Sequence, residues 1–143
     1  MNPDNPVVRL CAEGMNAEGE GRPDEARRLF QQAWDESTDD FEACVAAHYL
    51  ARHQETPEET LRWNQESLVR ADAVADDRVR SFYPSLYLNL GKAHEELGQL
   101  AEARRYYTLA SRRVGALGED GYGEFLRRGI AAGQDRVGSD SNG

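Results

Sequence analysis

Residues 87–110 read YLNLGKAHEELGQLAEARRYYTLA, and residues 10–33 read LCAEGMNAEGEGRPDEARRLFQQA. The two stretches follow one scheme. Tyr87 and Leu10 open it, Gly91 and Gly14 come four residues later, and Gly98 and Gly21 come seven after those. Ala103, Tyr107 and Ala110 then match Ala26, Phe30 and Ala33 in order and spacing. Steps of three and four between small and apolar residues are the period of a helix face. A glycine between two such runs marks the turn that joins them. Each stretch therefore predicts two helices folded into a hairpin, and the recurrence predicts a chain built from repeated hairpins.

In residue types and intervals the two copies resemble the tetratricopeptide repeat, whose pattern sets an aromatic, Leu-Gly, Tyr, Ala, Phe and Ala at these places. A step of 34 from the first copy gives a degenerate middle one: Cys44, Ala47, His48, Ala51, Thr60, Asn64 and Ser67. Its turn reads Thr56-Pro57-Glu58-Glu59, with a capping hydroxyl, a proline at the first helical position and a glutamate three residues past the cap. Gly14 and Gly91 are 77 residues apart, so the third copy starts nine residues late, with the surplus around residues 71–83.

The resemblance implies an all-α chain forming a right-handed α-solenoid of three hairpins and a C-terminal capping helix. Repeats are expected at about 7–40, 41–83 and 84–117, within a single domain over residues 1–137. Seven helices are expected, at about 5–20, 23–37, 39–54, 57–74, 78–97, 100–117 and 121–136, with Pro84 kinking or delaying the fifth. In the last, Tyr122, Phe125, Leu126, Ile130 and Val137 make an amphipathic stripe suited to a polar-backed cap. Residues 138–143 read as a disordered tail. In repeats of this kind Gly14, His48 and Gly91 sit where helix A of a hairpin crosses its helix B. Ala26 and Ala103 face them, Ala33, Ala51 and Ala110 keep later contacts small, and Phe30 and Tyr107 fill the space toward the next unit. His48 departs from the Gly or Ala of the pattern and is expected to be a hydrogen-bonded packing residue.

Composition narrows the function. The 143 residues are 39% hydrophobic and 30% charged, enough for a modest core. No apolar run approaches the roughly 18 residues of a membrane span. The N-terminus lacks a basic start followed by an apolar stretch, so the cytoplasm is the expected location. Lys92 is the one lysine among seventeen basic residues, a bias that suggests a GC-rich bacterial genome. The net charge of −9 repels phosphate backbones, which disfavours nucleic acid. Cys11 and Cys44 are expected to be reduced and buried. Cys44 with His48 lacks further metal ligands at a fixed spacing, and no cofactor is expected. There is no strand pattern for a nucleotide fold, Gly19-Glu20-Gly21 lies in an inter-helix turn, and no serine or histidine has triad context. The chain is not expected to be an enzyme. Its carboxylates, Glu18 and Glu95 among them, and its arginine pairs read as solvated helix ends and faces.

In tetratricopeptide domains the A helices line a concave groove that receives a peptide or a helix. Carried over, that groove is Val8, Cys11 and Met15 on the first A helix, then Glu42, Val45, Tyr49, Arg52 and His53 on the second. Ser85, Leu88, Asn89, Lys92 and Glu96 follow on the third. Met15, Tyr49 and Leu88 would supply apolar burial, with Arg52, Asn89 and Lys92 fixing orientation; Tyr and Arg are enriched at binding hot spots. The family's carboxylate clamp would fall on Cys11, Met15, Ala46, Ser85 and Asn89, none of them cationic, so chaperone C-terminal motifs are not the expected partner. The implied function is a protein–protein interaction module for another protein or peptide. Two alternatives stand beside it: a homo-oligomeric structural protein such as a homodimer, and a regulatory repeat protein acting through a partner in bacterial transcription or signalling.

Overall fold

A computed structural model describes residues 4–138, in which eight α-helices and no strand occur. The helices are α1 (Pro6–Gly19), α2 (Pro23–Asp35), α3 (Asp40–Leu50), α4 (Pro57–Val74), α5 (Asp77–Arg80), α6 (Tyr83–Glu96), α7 (Leu100–Arg112) and α8 (Gly121–Val137). Short 3-10 segments follow α3 at Ala51–His53 and α7 at Val114–Ala116. Residues 139–143 of the expected tail lie outside the described residues. The chain divides into two compact units, one running to Ala75 and the other starting at Asp76. The division falls inside the surplus that separates the second and third copies of the repeat.

In the first unit α1 and α2 form one hairpin and α3 and α4 another, and α3 packs on both α1 and α2. Asn5 caps α1 by accepting from the amides of Val7 and Val8, with Pro6 opening the helix. The turn into α2 depends on Gly21, whose φ of +75° is open to glycine without strain. Its amide donates to the Glu18 carbonyl, and that of Arg22 to the Ala17 carbonyl, which satisfies the exposed end of α1. Thr56 caps α4 through the Glu59 amide at 3.2 Å, with Pro57 first in the helix, as its sequence predicts.

The buried positions explain the packing. On α1 they are Val7, Cys11, Gly14 and Ala17, and on α2 Ala26, Phe30 and Ala33, each a single stripe. Burial pushes the Cys11 thiol up to about 12. Residues 41–48 of α3 are all buried, because α3 has neighbours on three sides. The Ser67 hydroxyl of α4 donates to the Cys44 carbonyl at 2.8 Å, tying the second hairpin at its centre. His48 packs edge-on against Tyr49 at 5.2 Å, and burial, assisted by the nearby Arg52 charge, lowers its pKa to about 4. α4 closes at Ala75, a non-glycine residue at φ +54°.

In the second unit α6 and α7 form a hairpin, and α8 packs on both. The expected helix over 78–97 is two helices. Pro84 lies in the first turn of α6, where its missing amide costs nothing, and α5 is a separate turn capped by Asp76. This break makes the count eight where seven are expected. Gly98, at φ +75°, repeats the turn of Gly21: its amide donates to the Glu95 carbonyl, and that of Gln99 to the His94 carbonyl. His94 Nδ1 also meets the Gln99 side chain at 2.6 Å, and its ring stacks on Tyr106 at 5.3 Å.

The core of this unit gathers Leu88, Ala103, Tyr107, Ala110, Leu126, Ile130 and Val137. On α8 the buried stripe is Gly123, Leu126, Ile130, Gly133 and Val137. Tyr122 and Phe125, expected on that stripe, are instead 56% and 65% exposed. Gly133 takes the inward place because the Tyr107 ring leaves no room: a Cβ there would meet it at 2.5 Å.

Candidate partner-binding surface

The surface begins with a close approach of two helices. Gly14 of α1 has no side chain, and the Phe30 ring of α2 occupies the vacated space. Tyr49 stacks on Phe30 with centroids 5.1 Å apart and planes 12° from parallel, and His53 tilts against the same ring at 5.5 Å. The Arg52 guanidinium lies over Tyr49, 4.7 Å from its centroid. Glu18, one turn beyond Gly14, meets Arg52 at 2.5 Å and His53 Nε2 at 2.6 Å. Three residues expected on this face, Tyr49, Arg52 and His53, are thus gathered around Phe30 and Glu18. Tyr49 is half-buried between Phe30 and Arg52, while Met15 is 39% exposed and Arg52 is exposed.

Other residues expected on this face are occupied elsewhere. Cys11 and Val45 are buried in the core, and Val8 is half-buried. Glu42 is buried and accepts from the Asn5 side-chain amide at 2.8 Å and the Thr38 amide at 2.9 Å. Burial opposes its ionisation, but the bonds from Thr38 and Asn5 outweigh this and hold its carboxyl below the usual range.

The second unit repeats the device. The Tyr107 ring lies against Gly91 as Phe30 lies against Gly14. Glu95, again one turn beyond the glycine, accepts from the Tyr107 hydroxyl at 2.7 Å and from Arg136 at 2.8 and 3.2 Å. The bonds from Arg136 hold Glu95 below the usual carboxylate range against its partial burial, and burial together with Glu95 pushes Tyr107 up to about 12. Leu88 is not an open anchor. It is 2% exposed and sits under Gly129 of α8, where a Cβ would meet it at 3.2 Å. Ser85 is buried and Asn89 half-buried, whereas Lys92 and Glu96 are exposed.

Glu18 and Glu95 therefore tie the end of one hairpin's first helix to the element packed against it, where solvated carboxylates are expected. Their signal in the sequence is positional, since each stands four residues after its glycine. Arg104 and Arg127 also depart from the solvated reading: Arg104 donates to the Val137 carbonyl, and Arg127 to those of Val114, Leu117 and Gly118.

Arg136 stands to α8 as Arg52 stands to α3. Counted back from these arginines, Phe125, Arg128 and Asp135 take the places of Phe41, Cys44 and Ala51. The latter three are buried in the first unit, whose α4 packs on α3; all three counterparts on α8 are exposed.

Among the described residues no helix is long and apolar enough to cross a membrane, and no group of three or more His, Cys, Asp or Glu could hold a metal ion. No family model matches the chain, and neither a curated protein nor a solved structure does.

Proposed function

We propose that the chain is a protein–protein interaction module of the tetratricopeptide-repeat kind, a right-handed stack of helical hairpins working in the bacterial cytoplasm. The observation that carries this reading is the recurrence of one interlock, glycine under aromatic ring with a carboxylate one turn on, at Gly14, Phe30 and Glu18 and at Gly91, Tyr107 and Glu95. Such an interlock lets hairpins nest side by side, and arrays of nested hairpins present extended surfaces to partners. The partner, a peptide or a helix, would meet the first unit at Met15 and at Arg52 over Tyr49. Association rests on burial of Met15 and of the Tyr49 edge, with Arg52 offering donors to a carbonyl or carboxylate.

Affinity capture from the native host tests this, with wild type compared to Met15→Glu combined with Arg52→Gln. Loss of the co-purifying partner with an unchanged circular dichroism spectrum is expected. Equal recovery by the two proteins would remove this surface from the proposal.

Self-association through α8 is a second reading, favoured by the exposed Tyr122 and Phe125. A dimer mass by light scattering that reverts to one chain in Phe125→Asp would select it.

A further inference from the structure

The first unit carries a second surface, on α2 and α4, that lies apart from Met15 and Arg52. We propose that it is a docking site for a peptide that presents a basic side chain next to a bulky apolar one.

The two tryptophans of the chain meet there. Trp34 of α2 and Trp63 of α4 pack edge-to-face with centroids 5.0 Å apart, and both remain half-buried. Each borders a hollow and Trp34 borders two. The smaller, of about 170 Å³, is lined by both indoles together with Arg62 and Glu66. The larger, of about 570 Å³, is walled by Trp34, Asp35, Ser37, Asp39, Asp40 and Arg70. The two hollows share Trp34 as a wall, so an aromatic hollow lies beside an acidic one.

Charge decides what fits the acidic hollow. Arg70 bridges Asp40 and Glu66, at 2.9 Å each, and lies over the Trp34 ring at 5.5 Å, so these two carboxylates share one positive charge. Asp35 and Asp39 have no basic partner among the described residues. Both are nevertheless held in place: the Gln31 amide donates to Asp35 at 3.1 Å, and the Glu42 backbone amide to Asp39 at 2.8 Å. Two fixed, uncompensated carboxylates at the mouth of a hollow complement an arginine or lysine head, and their fixed positions reduce the ordering cost of binding. An acidic ligand would add like charge beside them. The neighbouring hollow beside the indoles suits an apolar side chain on the same peptide, since the aromatic surfaces of Trp34 and Trp63 offer it contact area.

Because Trp34 and Trp63 are the only tryptophans, indole emission of the full-length protein reports this face alone. Titration with the peptide Ac-Leu-Arg-Leu-Arg-amide is expected to give a saturable change in emission, weakened roughly five-fold by 0.5 M salt or by Asp35→Asn with Asp39→Asn. Asparagine keeps the helix cap at position 39, so the double variant should fold, as circular dichroism will verify. Ac-Leu-Glu-Leu-Glu-amide is expected to leave the emission unchanged. No saturable change up to about 1 mM peptide, equal affinity in the double variant, or an equal response to spermidine alone would each overturn the proposal.

Discussion

The ring of Tyr107 lies so close over Gly91 that a Cβ at that position would meet the ring at 2.8 Å. Tyr107 is fully buried and held by its hydroxyl to Glu95, so it cannot swing aside. Gly91→Ala should therefore cost about 2 kcal/mol through overpacking, more than the helix preference of alanine returns. Gly19, with nothing within 4 Å of an added Cβ, is the control: Gly19→Ala should be neutral or stabilise by up to about 1 kcal/mol. Urea midpoints of the two variants check the contrast.

His48 makes stability depend on pH. Its folded pKa of about 4 lies below its ordinary 6.5, so between these values the unfolded chain binds a proton that the folded chain refuses. Stability should fall as pH drops from about 6.5 to about 4, by an amount on the order of 3 kcal/mol, and this contribution should level off below. Denaturation at a series of pH values, with His48→Gln as the reference, measures it. A profile that is as steep in the variant would assign the effect to other groups.

On α8 the exposed and buried faces should respond oppositely to truncation. Ile130→Ala empties part of the core around Tyr107 and should cost about 2 to 4 kcal/mol. Phe125→Ser removes a ring that is 65% exposed and should change stability by less than about 0.5 kcal/mol. Thermal unfolding of both variants settles which face holds the helix.

Both glycine–aromatic hairpins are legible in the sequence, because the residues that make the close approach are the ones that recur. The Thr56-Pro57 start of α4 is legible for a local reason: capping depends only on neighbours in the chain. The break between α5 and α6 is harder to see, since a proline suits a first turn as well as a kink, and its place follows from where α6 begins to pack. The inward face of α8 is legible in part, since Leu126, Ile130 and Val137 are buried as expected. Its stripe includes two glycines, Gly123 and Gly133, which no hydrophobic pattern records, while Tyr122 and Phe125 imitate the expected period from an outward position. Glu18 and Glu95 look like solvated helix ends until the element packed against each is known. Leu88 belongs to the same class: its burial depends on Gly129, forty-one residues away.

The polar substitutions on α8 bear on how such a chain could be lengthened. Where α3 and the 3-10 turn after it offer Cys44 and Ala51, small enough to lie beneath a neighbouring helix, α8 offers Arg128 and Asp135. A hairpin grafted after α8 would trap both charges without water, a heavy penalty for an array that gains only a few kcal/mol from each added interface. Engineers extending this scaffold would first have to replace Arg128 and Asp135 with alanine, after which Phe125 is already suited to the joint.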